Sequence, residues 1–395
     1  METKRLVTII CLIAGVCFQA QPQNQPVFRA DTFSIIYTLI DEVDTTLVLN
    51  NAHHLQDYGT RDCLSPGAVE AQNWIKGQFE SYGLDVELQD FPLYNQNPSD
   101  NVIATLTGHV YPDEYVVIGG HYDSRAGGNL APGADDNASG TCGVLEVARI
   151  LSQYEFKRTI IFCAFSAEEY GLAGSEAYVT RCAQEGMYII GYINMDMIGY
   201  QDPSEPFHSD MIAPPEAKDL ADFYKEVAGI YLPGFPIYDG ELSGYDSDHT
   251  SFNNWDYPGI FPFEDDIYHS PYIHTVLDTV GLSLNSTLLA TNLIQAGLAT
   301  VVTIAVPYDP VGIDLMAAVR QEVSIYPNPS HDRVYFKTGS DTPVAYSLIS
   351  SDGKILMSGK FSGQAVLPVT SLTPGTYIIR MAGTDFIEHK RLILQ

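Results

Sequence analysis

Five short segments of the sequence place histidine and acidic residues after apolar, strand-like runs, either directly or across a loop. These segments are residues 119–123, 131–140, 166–171, 194–197 and 273–275. Imidazole and carboxylate groups hold divalent metal ions, and two such ions can activate a water molecule and polarise a carbonyl group. Because ligands gather at the carboxyl ends of strands in an α/β sheet, the five segments predict a two-metal hydrolytic centre.

Each of these signals is weak when it is taken alone. An aspartate after a strand, such as Asp196, is more often a helix N-cap than a metal ligand. Glu168 and Glu169 could be the acidic first turn of a helix, and His274 could be an ordinary loop histidine. The combination is far more specific than any member, because all five segments stand where a strand ends.

The set resembles the zinc-dependent leucyl aminopeptidases of bacteria. The matching stretches are Gly-Gly-His-Tyr-Asp-Ser (119–124), Pro-Gly-Ala-Asp-Asp-Asn-Ala-Ser-Gly (132–140), Ser-Ala-Glu-Glu-Tyr-Gly-Leu-Ala-Gly-Ser (166–175), Asn-Met-Asp-Met (194–197) and Ile-His-Thr (273–275). The resemblance covers residues 60–305. It implies a zinc exopeptidase domain that removes neutral or apolar N-terminal residues from peptides.

The resemblance also implies two Zn²⁺ ions per chain. Asp136 would be the carboxylate that bridges both ions. His121 and Asp196 would complete one site, and Glu169 and His274 would complete the other. One shared carboxylate lets five side chains hold two ions and leaves room for a water molecule.

Three further features are implied around this centre. Glu168 would be the general base and later the general acid. Asp123 would accept the second N–H of the His121 ring and fix its tautomer. The peptide bond from Asp136 to Asn137 would be cis.

The substrate should be a peptide with a free N-terminus, because the carboxylates of Glu169 and Asp196 would face its amino group. The candidates for an apolar pocket are Met197, Tyr245, Phe261, Phe263 and Ile273, and core packing explains each of them equally well. Tyr245 could also hydrogen-bond the developing oxyanion. The tripeptide 247–249 cannot form a Ser-His-Asp triad, because consecutive residues do not meet in that way; it is interpreted as cleft support.

The elements that must position these residues alternate along the chain. Apolar runs at 102–106, 116–119, 159–165, 188–194 and 258–263 predict strands, and helical patterns at 35–49, 67–82, 140–151, 171–181, 217–230 and 284–302 separate them. Ser65 is a predicted N-cap with Pro66 just inside the helix. This order predicts an α/β fold over residues 21–310, a three-layer α/β/α domain with a mixed central sheet.

The chain changes character near residue 310. Short strand-like runs separated by turn signals predict a small all-β sandwich over residues 318–395. Three stretches resemble the sorting domain of the type IX secretion system of Bacteroidetes: Val-Ser-Ile-Tyr-Pro-Asn-Pro (323–329), Leu-Thr-Pro-Gly-Thr-Tyr (372–377) and Lys-Arg-Leu-Ile-Leu (390–394). This resemblance implies the type IX machinery as a partner, and an adhesive or carbohydrate-binding sandwich is the alternative.

The N-terminus predicts export. Lys4 and Arg5 precede an apolar run at 6–18, and Ala20 offers a cleavage point, so residues 1–20 read as a signal peptide. A removable pro-segment could lie within 21–50. We expect no transmembrane segment, and a secreted or outer-surface location. The net charge of −29 excludes nucleic acid as a partner, because phosphate binding needs a basic surface.

Four cysteines remain after the signal peptide: Cys63, Cys142, Cys163 and Cys182. In an exported chain they allow between no disulfide and two, and the sequence does not choose among these options.

Two other functions stay open at this stage. A glutaminyl cyclase shares the fold and several motifs but uses one zinc ion, and the loop 135–140 fits the peptidase better. A non-catalytic surface-binding protein should have lost a ligand or the base, whereas all six positions here carry competent side chains.

Overall fold

The computed structural model describes residues 28, 33–93, 98–242, 246–308, 324–338, 343–350, 354–370, 372–382 and 387–395. The predicted signal peptide and the pocket candidate Tyr245 lie outside these residues. The helices are α1 Ser34–Asp41, α2 Thr45–Gln56, α3 Pro66–Ser81, α4 Gly140–Leu151, α5 Ala173–Glu185, α6 Lys218–Tyr231, α7 His249–Asn253 and α8 Thr287–Ala305. The strands of the first domain are β1 Asp85–Pro92, β2 Pro98–Leu106, β3 Tyr111–His121, β4 Arg158–Phe165, β5 Tyr188–Asn194, β6 Ser209–Ile212, β7 Ile237–Gly240 and β8 Gly259–Phe263.

One eight-stranded mixed sheet forms the centre of the first domain, with strand order β1-β2-β4-β3-β5-β8-β6-β7. Its four middle strands, β4, β3, β5 and β8, run parallel to one another. Strands β1 and β2 pair antiparallel at one edge, and β6 pairs antiparallel with β8. The sequence prediction of a mixed sheet is therefore confirmed.

Helices cover both faces of this sheet, which gives the predicted three layers. Helices α1–α4, α6 and α8 pack on one face, where Ile118, Ile160 and Ile193 belong to the main hydrophobic cluster. Helices α5 and α7 cover the other face, and there Val117 and Tyr192 pack in a second cluster. Neighbouring residues of a strand point to opposite faces, so the nearly continuous apolar strands serve both clusters.

Some element boundaries differ from the prediction. The single helix predicted over 35–49 is wrong, because the chain breaks into α1 and α2. Asp44 caps the second helix, and its carboxylate accepts the N–H groups of Thr46 and Leu47. The predicted cap of α3 is confirmed, since Ser65 accepts the N–H of Ala68 at 3.2 Å. Strand β7 was missed because a four-residue strand is too short to show a period.

Helix α8 is long and apolar enough to cross a membrane by length and composition, and it is the one such helix among the described residues. In the structure 78% of its most apolar stretch is buried. Leu293 and Val301 lie in the main hydrophobic cluster. Its burial is that of a core helix.

The C-terminal residues form two antiparallel sheets, as the sequence predicts. The strands are β9 Ser324–Tyr326, β10 Arg333–Lys337, β11 Val344–Ile349, β12 Ile355–Phe361, β13 Gln364–Pro368, β14 Gly375–Ala382 and β15 Ile387–Leu394. The sheet orders are β13-β10-β9 and β12-β11-β14-β15. Phe336 and Leu367 from one sheet share a hydrophobic cluster with Leu348 and Ile379 from the other.

The four cysteines left open by the sequence are free thiols. All four are buried. Cys163 lies in the cluster beneath α5 and α7, so it is a small core residue.

Arg61 is a fully buried charge with an exposure of 0%. Its guanidinium donates to four backbone carbonyls, those of Leu55, Tyr122, Pro132 and Gly133, at 2.7–3.0 Å. It thereby joins helix α2 to the segment after β3 and to the loop before α4. A charged donor is stronger than a neutral one in such positions. The carbonyls of Leu55 and Gly133 also accept backbone N–H groups, from Tyr58 and Ala138, so Arg61 adds a second donor to these two.

We expect Arg61→Met to lower the free energy of unfolding by about 3–5 kcal/mol, because it removes four buried hydrogen bonds from a charged donor, each worth about 1.5–3 kcal/mol at most. Urea unfolding followed by circular dichroism measures this change. The control is Lys218→Met, which removes an exposed cation and should shift the unfolding free energy by less than about 0.5 kcal/mol. Equal effects of the two changes would contradict the joining role.

Candidate metal centre

The candidate ligands come together at one edge of the sheet. Strand β3 ends at His121, and β4 leads directly into Glu168 and Glu169. Strand β5 leads into Asp196, and the long loop after β8 carries His274. Because these strands are adjacent and parallel, their carboxyl ends bring together side chains from four distant parts of the sequence.

Asp136 enters from the loop between β3 and α4. The backbone there is not helical, with φ −105° and ψ 90° at Asp136. The carboxylate of Asp278 accepts the N–H groups of Asp135 at 2.8 Å and Asp136 at 3.1 Å. The peptide bond from Asp136 to Asn137 is cis, as the resemblance implies.

Two glycines let the backbone segments of the centre approach closely. A Cβ atom on Gly120 would lie 2.2 Å from the carbonyl oxygen of Met195, and one on Gly140 would lie 1.9 Å from the same atom. Any side chain at either position would push away the segment that carries Asp196.

The distances place Asp136 between two imidazoles. Its Oδ1 lies 3.3 Å from Nε2 of His121, and its Oδ2 lies 3.2 Å from Nε2 of His274. Oδ1 of Asp196 lies 3.3 Å from the His121 nitrogen, and Oε2 of Glu169 lies 2.9 Å from the His274 nitrogen. Each oxygen of one carboxylate thus faces a different histidine.

This arrangement fits two zinc ions. Two ligand atoms about 2.0–2.2 Å from a tetrahedral zinc ion lie about 3.2–3.6 Å apart, which is close to most of these separations. Two buried oxygens, Oε1 of Glu169 and Oδ1 of Asp196, have no hydrogen-bond partner among the described residues. Such orphaned buried acceptors fit ligand positions, because burying them without a partner is costly.

The charges of the centre are strongly coupled. Hydrogen bonds to Asp136 and Glu169 raise the pKa of His274 to about 10. Burial opposes the ionisation of Asp136, but the two histidines lower its pKa below the usual value. Burial and the Asp136 charge raise the pKa of Glu169 to about 7. Carboxylates outnumber imidazoles here, so the cleft attracts cations.

Glu168 lines the cavity and begins a single helical turn, Glu168–Tyr170. Burial raises its pKa well above the usual value; the His121 charge opposes this, and Asp248 and Asp196 add to it. A carboxylate with a raised pKa can hold a proton near neutral pH. This property suits an acid–base group.

Asp123 contacts the centre in two ways. Its carboxylate accepts the N–H groups of Glu168 at 3.1 Å and Glu169 at 3.3 Å. Nδ1 of His121 lies 3.2 Å from the backbone carbonyl of Asp123 and 3.5 Å from the carboxylate. The acceptor nearest to the imidazole is therefore the carbonyl, and the carboxylate mainly fixes the turn that carries Glu168.

The segment 247–249 contacts the ligands from behind. The hydroxyl of Ser247 donates to Oδ2 of Asp196 at 2.6 Å, and the side chain of Asn194 donates to that hydroxyl at 2.7 Å. Asp248 is buried, and burial raises its pKa to about 7. These contacts agree with cleft support and contain no triad.

A cavity of about 410 Å³ opens beside the ligands. Of the predicted pocket residues, Met197, Phe261, Phe263 and Ile273 line it. The sequence missed Leu242, which also lines it and packs with these residues. The cavity therefore has an apolar side, formed by these residues, and an acidic side that includes Glu169 and Asp196.

Some features of the centre have no signal in the sequence, namely the backbone conformation of four residues and the role of Asp246. Ala167, Leu172, Met197 and His274 have positive φ angles between 44° and 62°, a region that non-glycine residues rarely adopt. Asp246 lines the cavity, but an isolated aspartate in a polar loop belongs to no motif that would predict this position.

Comparison with known proteins assigns the family. Residues 101–298, half of the chain, match Peptidase family M28. The chain belongs to peptidase family M28. Residues 324–395 match the secretion system C-terminal sorting domain. The two resemblances stated from the sequence are thereby confirmed.

Curated relatives agree with this assignment. A leucine aminopeptidase 1 of Pyrenophora tritici-repentis is 29% identical over 65% of this chain and 69% of its own length. A probable zinc metalloprotease of Pyrenophora teres f. teres is 32% identical over 41% of this chain, which spans only 40% of that relative. The enzyme class predicted from the sequence, a zinc-dependent aminopeptidase, is confirmed.

Solved structures confirm the fold. The LapA aminopeptidase of Legionella pneumophila superimposes with a TM-score of 0.63 at 25% identity, covering 72% of this chain and 78% of that one. A glutaminyl cyclase of Bacteroides thetaiotaomicron shares the fold with a TM-score of 0.55 at 20% identity, over 66% of this chain and 98% of its own.

We expect Asp278→Asn to weaken zinc binding about 10–100-fold, because an amide leaves only one oxygen to hold the backbone before the Asp136 carboxylate. Competition with a chromogenic chelator measures the affinity. The control is Asp256→Asn, an exposed position away from the cleft, which should leave the affinity unchanged. An unaltered zinc affinity in the Asp278 variant would remove that residue from the centre.

Proposed function

We propose that this chain is an exported, two-zinc aminopeptidase that removes neutral or apolar residues from the N-termini of peptides. The observation that carries the proposal is the position of Asp136. Its two oxygens lie 3.2–3.3 Å from two different histidines. His121 and Asp196 would hold one zinc ion, Glu169 and His274 the other, and Asp136 would contact both.

When bound, two zinc ions would lower the pKa of a water molecule and polarise the scissile carbonyl. Glu168 lies beside the ligands and takes the proton of the attacking water. The same carboxyl group then delivers that proton to the leaving amine. Asp123 holds the Glu168 backbone in place through the N–H contact at 3.1 Å.

The N-terminal residue of the substrate fits the cavity in one orientation. Its ammonium group meets the acidic side, formed by Glu169, Asp196 and Asp246. Its side chain meets the apolar side, where Leu242 and Phe261 lie. This division favours a free amino group and an apolar side chain, and it supports a leucine-like preference.

The sorting domain implies export by type IX secretion to the cell surface or beyond it. We propose that residues 1–20 are the signal peptide, that 21–310 form the peptidase domain and that 318–395 engage the secretion machinery. Removal of a segment within 21–50 remains a prediction, although Ile36 and Leu39 of α1 pack in the main hydrophobic cluster.

A glutaminyl cyclase is the competing function, because a solved cyclase shares the fold. Two observations favour the peptidase. The two oxygens of Asp136 face two different histidines, His121 and His274. Together with Glu169, His274 provides a second set of metal-ligating atoms, which a one-zinc enzyme does not need. Zinc content near one per chain with ammonia release from N-terminal glutamine would reverse this choice.

We expect Glu168→Gln to lower kcat on leucyl-p-nitroanilide about 100–10,000-fold, because the amide cannot accept the proton. Zinc content should stay at the wild-type value, since the ligands are untouched. A spectrophotometric assay with metal analysis of the same preparation measures both. The wild-type enzyme should lose activity on chelation and regain it with Zn²⁺.

Activity of Glu168→Gln close to that of the wild type would remove Glu168 as the base. Hydrolysis of an N-acetylated leucyl substrate as fast as the free one would contradict the role of the acidic side.

We expect Leu242→Asp to shift the substrate preference from leucine toward lysine by at least about 10-fold in the ratio of kcat/KM values. The new carboxylate attracts a cationic side chain, and an apolar side chain would bury that charge without a partner, which is costly. Leu242→Asn is the matched control, because it changes size and polarity without adding charge. An equal shift in both variants would show that pocket charge is not the cause.

A further inference from the structure

A second group of metal-ligating side chains lies apart from the proposed dizinc centre. His208 stands just before β6, Asp210 lies on β6, and Asp265 follows β8. Each offers one ligand atom, and the three atoms lie within 4.8 Å of one another. No catalytic role described above uses any of these residues.

The tautomer of His208 is fixed by a neighbouring carbonyl. Nδ1 of its ring lies 2.7 Å from the carbonyl oxygen of Pro206. A carbonyl can only accept, so Nδ1 carries the hydrogen, and Nε2 of a neutral ring presents a lone pair. That lone pair points toward two carboxylates, which also present lone pairs.

The separations do not match hydrogen bonds. Nε2 of His208 lies 3.7 Å from Oδ2 of Asp210 and 3.5 Å from Oδ2 of Asp265, whereas N–H···O bonds span about 2.7–3.2 Å. Two ligands of one tetrahedral zinc ion lie about 3.2–3.6 Å apart. The dizinc ligands of this chain show similar spacing, such as 3.3 Å between His121 and Asp196.

The two carboxylates are buried without a strong cationic partner. Asp210 is 5% exposed and Asp265 is 6% exposed. Oδ1 of Asp265 accepts the N–H groups of Ile267 and Tyr268, while Oδ2 receives no hydrogen bond within the described part of the chain. Among those residues no lysine or arginine forms an ion pair with either aspartate.

Nearby charge adds to this imbalance. Asp266 donates its backbone N–H to Oδ2 of Asp210 at 2.9 Å. Burial raises the pKa of Asp210, and the negative charge of the Asp266 carboxylate adds to this increase. Burying unpaired carboxylates is expensive. A divalent cation would remove both the lone-pair repulsion and the cost of burial.

We propose that His208, Asp210 and Asp265 form a third metal site, separate from the catalytic centre, for a borderline divalent ion such as Zn²⁺. One imidazole and two carboxylates favour zinc over calcium, because calcium prefers an all-oxygen shell. Three protein ligands leave a fourth position for water.

The site would tie two elements of the fold together. Strand β6 pairs with β8, with Asp210 opposite Phe263. Asp265 begins the loop that carries Ile273 and His274 toward the cavity. An ion shared by Asp210 and Asp265 would fix the start of this loop against β6, which is a structural role.

The test is the metal content of the full chain, dialysed against metal-free buffer after saturation with Zn²⁺. We expect His208→Gln to contain one zinc ion per chain fewer than the wild type. The matched control is His53→Gln, which alters an exposed histidine of α2 and should retain the wild-type content. Asp265→Asn provides a second variant, because its amide oxygen can still accept the two loop N–H groups.

Leucyl-p-nitroanilide hydrolysis in the same preparations reports separately on the dizinc centre. Loss of one ion from both the His208 and Asp265 variants, with the control unchanged, supports the site. Wild-type and His208→Gln chains of equal zinc content would overturn it, whatever the activity of the enzyme. Inactivity of the wild-type, zinc-loaded chain toward this substrate, with the expected difference in zinc content, would overturn the proposed function and leave the third site standing.

Discussion

The structure depends on concentrating negative charge where four parallel strands end. The carboxylates in this buried space outnumber the imidazoles, and desolvation penalises each unpaired negative charge, so cations would balance the excess. Asp136 is the pivot of this balance: its two oxygens face His121 and His274 at 3.3 and 3.2 Å. Asp278, Arg61 and Ser247 position that carboxylate or its neighbours.

The supports of the centre are backbone contacts rather than further ligands. Asp278 holds the loop before Asp136 through two N–H groups, and Arg61 fastens the carbonyls of the same loop at Pro132 and Gly133. Close approach at Gly140 permits the segment with Asp196 to pack against it. Contacts of this kind hold the backbone without help from the ligands, and preorganisation of this kind makes binding less costly.

The sequence predicts His121, Glu169 and Asp196 well because each stands at or just after the end of an apolar strand. Asp136 and His274 lie in long loops, and their prediction rests on the resemblance of the segments around them. The sequence cannot predict Arg61 or Asp278, since each acts on backbone far away in sequence and neither belongs to a periodic pattern. The break between α1 and α2 was missed because Asp44 interrupts a pattern that otherwise continues. The sequence does not predict the group of His208, Asp210 and Asp265 either, because strand β6 and the loop after β8 are far apart in sequence and become neighbours only in the sheet.

The most direct test of the account is a crystal structure of the zinc-loaded enzyme with anomalous diffraction collected at the zinc edge. We expect one peak against His121 and Asp196 and another against Glu169 and His274, both within bonding distance of Asp136. A single peak in this cleft, or two peaks of which Asp136 contacts only one, would contradict it.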